Sequence, residues 1–524
     1  MKHVSVNRII QSLYLLLAAL LFMPLRHYLD CNDTLQYITL AKKYAAGDLM
    51  QAISSYWSPL LSWILVPFIK FGLEGFFVLK IIQILIGWAA LFFICKLTDH
   101  RQGIGQTGLF FKLAAVPLIA SFALLNGTPD LLALLWMLWL LSILSEPEKY
   151  FSSIKFALIC GLVGGLLYFS KAAGFFFFLI LFTVLHLYYF FLKKESDRNR
   201  TIRFFICGTG TFLFTSALWI CLLSNAYGKF TFSSSGTYNF GIIGPALNPD
   251  VYGELNHPFY MGKLFEPSNK SALNAWENPT TAFVPHWSPF HSKTELRHYL
   301  RVIWKNLRSL QSYNFGADPG SVLILGWMLL LYFDRKQAVE FFRRNILLII
   351  FPVILSLLYI LVFVNHRYIW LNDCVILILA ADLCGRLAQS KKGAAIAFAS
   401  AFLLLVSYQS WGDIHPRLND GKANWQAGKA FAAFDPLPGS VASLTSDMTY
   451  SYDYCSLVCY LSVKNYKGIL DTRKQDDISS ELEKFHVKYI FTWGTAPDPI
   501  LLTHGRAKFL LRYPEARLSI YSFQ

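Results

Sequence analysis

The strongest constraint on this chain is a pattern: apolar runs long enough to cross a bilayer recur along it, separated by short polar breaks. In lipid every backbone donor and acceptor must be satisfied within the chain. Repeated runs of about 17 to 25 apolar residues are therefore membrane helices. Composition agrees, since 55% of the 524 residues are hydrophobic and only 15% are charged, against about 25% charged in soluble globular chains. The sequence predicts an α-helical polytopic membrane protein.

Eleven spans are expected: Ile9–Leu25, Phe76–Leu97, Thr107–Leu125, Leu131–Leu144, Ile154–Ser170, Phe175–Phe191, Phe204–Leu223, Val322–Phe333, Ile346–Val364, Ile369–Ala388 and Ala394–Tyr408. Lys2, His3 and Arg8 precede the first, and no small-x-small cleavage site follows it. An uncleaved signal anchor with a cytoplasmic start is therefore expected. Alternation then puts the loop 26–72, Asn126–Asp130, Lys171, the long segment 224–320, Asn365–Tyr368 and everything after Tyr408 outside. The basic stretches Lys193–Arg203, Asp334–Lys336, Arg343–Arg344 and Lys391–Lys392 fall inside, alongside Lys96, His100 and Arg101, as the positive-inside rule requires. This placement accounts for most of the net charge of +15 and argues against nucleic acid as a partner. Residues 1–410 form the transmembrane domain and 411–524 an extracytoplasmic one. In the latter Ser440–Leu444 and Lys488–Trp493 read as buried strands and Ile478–Phe485 as an amphipathic helix, a small α/β fold.

The segment 224–320 is polar, aromatic and rich in Pro, Gly and Asn. Its many rings argue against disorder and suit an interfacial cap. Asp471, Asp476 and Asp477 read as a solvated cluster. Six of the nine cysteines lie in or near spans, Cys455 and Cys459 stand close together, and no Cys/His cluster has zinc-site spacing. Phosphate-loop, dinucleotide and HExxH motifs are absent.

Topology gathers Asp30, Asp33, Asp130, Lys171, His366 and Arg367 at outer ends of spans. A carboxylate within reach of a hydroxyl proton can act as a general base. The planar fork of Arg suits a phosphate. With no nucleotide pool outside, an activated substrate would arrive on a lipid.

Asp33-Thr-Leu-Gln-Tyr37, followed by Ala41, Gly47 and Tyr56-Trp57-Ser58-Pro59-Leu60, resembles the first outer loop of the GT-C glycosyltransferases. These are membrane enzymes that use polyprenyl-phosphate-linked sugars, such as protein O-mannosyltransferases and lipid A aminoarabinose transferases. Pro129-Asp130, Tyr168-Phe-Ser-Lys171 and Arg367-Tyr368 resemble later landmarks of the same family. The resemblance covers the layout of residues 1–410. It implies a glycosyltransferase of the inner (plasma) membrane that moves a sugar from a polyprenyl-phosphate donor to a lipid, glycan or protein acceptor at the outer face. It implies further that Asp33, helped or oriented by Asp30, either activates the acceptor or binds a divalent cation that does. Lys171, Arg367 and His366 would lie near the donor phosphate, and Asp130, Tyr37 and Trp57 would orient the acceptor or the first loop. Many members carry Asp-Glu where this chain has Asp33-Thr34, so either Asp30 supplies the second carboxylate or a metal role is lost. A polymerase or ligase of lipid-linked glycans would rest more on outer-loop Arg and His. A transporter or flippase would place its charges near the midplane of repeated halves, and no repeat stands out here.

Overall fold

The computed structural model describes residues 2–100, 107–192, 195–247, 257–315, 319–444, 448–472, 477–494 and 498–524. Arg101, Lys193 and Asp476, named above, lie outside these ranges. Every expected span is helical, with the ninth ending at Ile360 rather than Val364. Among the described residues eight helices are long and apolar enough to cross a membrane. A ninth candidate joins Lys293–Asn314 to Pro319–Phe333 across a 71° bend. Asp130–Leu144 and Lys155–Ser170 have 15 and 16 residues, shorter than the roughly 20 that a perpendicular crossing needs.

Small residues bring these helices close. A Cβ on Gly161 would come within 2.3 Å of the Gly208 carbonyl oxygen, so Lys155–Ser170 and Glu195–Tyr227 approach as only glycine allows. Trp370–Ser390 belongs to the most enclosed candidate span and holds a buried polar staple. Arg386 Nε and Asn345 Nδ2 donate to Asp382 Oδ2 at 2.9 and 2.8 Å, and Arg386 Nη1 donates to Gln337 Oε1 at 2.8 Å. A charge taken out of water persists only when paired in this way. The staple ties Arg335–Ile360 to Trp370–Ser390.

The first loop, the long segment and a five-stranded sheet collect at the other end of that span. The sheet comprises β1 (Ser440–Leu444), β2 (Asn465–Leu470), β3 (Tyr489–Trp493), β4 (Ala507–Tyr513) and β5 (Leu518–Phe523) in the order β2-β1-β3-β5-β4. β1 runs parallel to β2 and β3, while β5 runs antiparallel to β3 and β4. The two predicted strands and the helix Ile478–Lys484 are present. The core of the bundle runs on into the sheet through Phe431, Tyr452, Tyr489 and Phe491. Asp453 Oδ1 accepts the Asn32 N–H at 2.9 Å, and Tyr460 donates to Glu74 Oε1 at 2.8 Å. The sheet region is therefore seated directly on the first loop.

Within the long segment Lys293–Phe315 is a 23-residue helix, free of Gly and Pro throughout. One expectation needs correction. Asp471 is buried rather than solvated, while Asp477 caps a helix by accepting the Ser480 N–H at 3.0 Å.

Candidate active site

The helix Asn32–Ala46 carries Asp33 in its first turn, where unpaired N–H groups favour a carboxylate. It ends at Gly47, whose φ of +82° is the left-handed conformation that glycine adopts without a Cβ penalty. Ser62 Oγ donates to the Tyr37 carbonyl at 2.8 Å and fixes the Leu60–Lys70 helix against it. In the aromatic turn before that helix, Trp57 packs edge-on to Tyr37 with ring centroids 5.3 Å apart. Trp57 Nε1 donates to the Glu277 carbonyl at 3.0 Å.

Four charges meet beside this helix. Arg367 Nη2 donates to Asp33 Oδ2 at 2.8 Å, and Arg367 Nε lies 3.8 Å from Asp130 Oδ2. Lys171 pairs with Asp130 Oδ1, and Thr128 Oγ1 donates to Asp130 Oδ2 at 2.6 Å. The order Asp33, Arg367, Asp130, Lys171 alternates in sign, so each partly buried charge has an opposite neighbour and the desolvation cost is offset. Lys171 Nζ also sits 3.5 Å from the ring centroid of Tyr368, a favourable cation–π distance. Tyr368 in turn stacks on Tyr359 at 5.0 Å.

These four groups line one cavity of about 300 Å³, with Tyr37, Tyr56 and Trp57 also in its wall. Other parts of the wall are apolar: Phe176, Phe232, Leu358, Val362 and Phe363. A space with a charged cluster and a hydrocarbon wall fits an amphiphile, its polar head at the cluster and its chain along the apolar side chains.

Sequence reasoning missed Trp276. Its Nε1 donates to Asp33 Oδ1 at 2.9 Å, so both oxygens of that carboxylate are held, one by an indole and one by a guanidinium. Trp276 stands in a short turn, Ala275–Glu277, that is clamped on both sides. Asn274 Nδ2 donates to Asn32 Oδ1 at 3.1 Å and to Ser456 Oγ at 3.0 Å. Glu277 forms a buried ion pair with Lys43, nearly three turns further along the Asp33 helix. His257 stacks on the indole with centroids 3.5 Å apart. Burial pushes the His257 pKa well below its ordinary value, so the ring stays neutral.

Asp30 and His366 are placed differently. Both line a separate polar cavity of about 260 Å³ together with Asn126, Asp413 and Arg417, and Arg367 borders this cavity as well as the first. Asp30 Oδ1 accepts from Thr34 Oγ1 at 2.6 Å and Oδ2 from the Gly127 N–H at 3.2 Å. Asp30 therefore ties the Asp33 helix to the loop that carries Asp130. Gly127 allows this contact, because a Cβ there would meet Thr34 at 2.4 Å. His366 Nε2 pairs with Asp373 at 2.9 Å.

The donor set does not fit a divalent cation. Thr34 turns its hydroxyl to Asp30, and Arg367 and Lys171 already engage the two cavity carboxylates. Among the described residues no group of three or more His, Cys, Asp or Glu is placed to hold a metal ion.

No protein-family model matches the sequence, and no curated protein matches it either. The structure does have solved neighbours. It matches the crystal structure of ArnT from Cupriavidus metallidurans bound to undecaprenyl phosphate with a TM-score of 0.55 at 14% identity, over 98% of this chain and 97% of that one. It matches the same protein in the apo state with a TM-score of 0.57 at 13% identity, over the same shares. Over 98% of its length the chain has the fold of these ArnT structures, the fold that its first loop led one to expect.

Proposed function

We propose that the protein is an inverting glycosyltransferase that moves a sugar from a polyprenyl-phosphate donor to an acceptor hydroxyl at the outer face of the membrane. The observation that carries this reading is the bond between Asp33 and Arg367 inside a cavity whose remaining wall is largely apolar. It supplies a base, a phosphate partner and a place for a lipid chain together. That a neighbour of the same fold was crystallised with undecaprenyl phosphate supports the donor class.

In this reading the donor phosphate enters between Arg367 and Lys171 with its prenyl chain along Phe176, Phe232 and Phe363. The donor's monoanionic phosphodiester competes with Asp33 for the Arg367 fork, because that fork matches two phosphate oxygens as well as it matches one carboxylate. As the fork turns to the phosphate, Asp33 Oδ2 is uncovered while Trp276 keeps Oδ1 in place. The acceptor oxygen attacks the anomeric carbon from the face opposite the phosphate. The carbon–oxygen bond to phosphate breaks with its electron pair on the leaving group, and the acceptor proton passes to Asp33. Arg367 and Lys171 stabilise the charge that develops on phosphate, which is commonly the largest catalytic contribution. Asp130 holds Lys171 and Arg367 in position, Asp30 orients the first loop, and His366 acts through the adjoining polar pocket. The carboxylates act on substrate directly, without a bridging cation. The positive-inside rule supports a cavity on the outer side, with the first residues and the basic loops in the cytoplasm.

The test is transfer by the purified protein in liposomes. The assay supplies a polyprenyl-phosphate sugar of defined anomer and an envelope lipid and glycan extract as the acceptor source. Sugar should appear on the acceptor with the opposite anomeric configuration, with one polyprenyl phosphate released per transfer. Retention of configuration overturns the single displacement. Movement of intact donor across the bilayer without transfer overturns the enzyme reading in favour of a flippase.

A further inference from the structure

The helix Lys293–Phe315 presents three faces. One packs inward: His298 Nε2 is 2.7 Å from the Ile243 carbonyl oxygen, Tyr299 donates to the Leu361 carbonyl at 3.0 Å, and Asn306 Nδ2 donates to the carbonyls of Ile360 and Val362 at 2.9 and 3.1 Å. The carbonyls of Ile360, Leu361 and Val362 lie at the end of the candidate span Arg335–Ile360. A second face is apolar and exposed: Leu296, Leu300, Trp304 and Leu307 are 43%, 57%, 58% and 40% accessible. Their spacing of three or four residues makes one stripe. The third is basic, with exposed Lys293, Arg297, Arg301, Lys305 and Arg308 three or four residues apart and Glu295 the helix's sole acid.

By the angular spacing of an α-helix, the apolar stripe lies between the packed face and the basic one. A helix in water does not keep four large apolar side chains on an exposed stripe beside five cations. A helix lying in a bilayer surface does so, with its apolar side chains among the acyl chains and its cations at the headgroups. Phe290, 90% accessible and three residues before the helix, adds an aromatic group of the kind enriched at that boundary.

We propose that Lys293–Phe315 is a docking surface for anionic phospholipid headgroups. Seating it on them fixes the adjoining cavity wall, because the helix holds the carbonyls of Ile360, Leu361 and Val362, and Val362 lines the charged cavity. The partner is the bulk anionic lipid of the bilayer. The charge argues for this choice: five cations in a row match an extended field of phosphates, and each adds to attraction that falls off within a Debye length.

Hydrogen–deuterium exchange on the full chain in nanodiscs tests this without relying on the transfer reaction. The comparison is phosphatidylcholine alone against phosphatidylcholine with about one-third phosphatidylglycerol. Amides of 296–312 should exchange about tenfold more slowly with the anionic lipid, and high salt should reverse the effect. In the fourfold variant Arg297→Gln, Arg301→Gln, Lys305→Gln, Arg308→Gln the lipid dependence should disappear while the exchange of Trp370–Ser390 stays as in wild type. Restoring the positive charges as lysine should restore the dependence. Equal exchange in both bilayers overturns the proposal. So does protection that follows protein concentration rather than lipid, which assigns the face to a second copy of this chain. Protection by added polyprenyl phosphate but not by phosphatidylglycerol overturns it as well, because it assigns the cations to donor capture.

Discussion

Asp33→Asn is expected to lower sugar transfer by about two to four orders of magnitude, the usual contribution of a positioned general base. That corresponds to about 3 to 5 kcal/mol of transition-state stabilisation. The substitution keeps the size and planarity of the group, and its carbonyl can still accept from Trp276 or from Arg367. Arg367 would not be left without a carboxylate, since Asp130 Oδ2 lies 3.8 Å from its Nε. The variant should therefore insert and melt like wild type and bind donor with similar affinity, so the loss falls on kcat rather than KM. Steady-state transfer with donor titration checks this. Transfer within a few-fold of wild type would remove Asp33 from the role of base.

Arg367→Ala is the second large effect. It removes the guanidinium that links Asp33 to Asp130, leaving the former with Trp276 and the latter with Lys171 and Thr128. Loss of a preorganised donor to developing charge costs about two to three orders of magnitude in rate. Loss of the phosphate contact should also raise the KM for donor. Breaking a partly buried charge network can cost about 3 kcal/mol of stability, so Arg367→Lys serves as the companion variant. It keeps the charge but not the bidentate fork, and it should recover stability more fully than transfer. An unchanged donor KM in a folded Arg367→Ala protein would place the phosphate elsewhere.

Much of this site was legible before any coordinates, because alternating spans and short basic loops assign each charged residue to an end of the bundle. That logic brought Asp33, Asp130, Lys171 and Arg367 to one cavity. It could not rank residues within that end. Asp30 and His366 obey the same alternation yet face an adjoining pocket, since one turn of helix or a short connection decides which way a side chain looks. Trp276 was hidden for another reason: it is one of many aromatic residues in a segment without periodicity. Its position comes from the contacts of its neighbours Asn274 and Glu277 with Asn32, Ser456 and Lys43, far away in sequence. The helix Lys293–Phe315 did carry a local signal, an apolar and basic stripe free of Gly and Pro, which the surrounding Pro-rich composition masked. The strands β2, β4 and β5 were equally hard to see. Gly468 interrupts β2 with a φ of +121°, and β4 is an edge strand with a mostly exposed or half-buried pattern.

The most direct measurement is the position of a bound polyprenyl phosphate in a structure of the wild-type protein in a lipid nanodisc. The phosphate should lie within hydrogen-bond distance of both Arg367 and Lys171, with the Arg367–Asp33 bond opened and the prenyl chain along Phe176 and Phe363. A phosphate bound elsewhere, with Arg367 still on Asp33, would contradict the account.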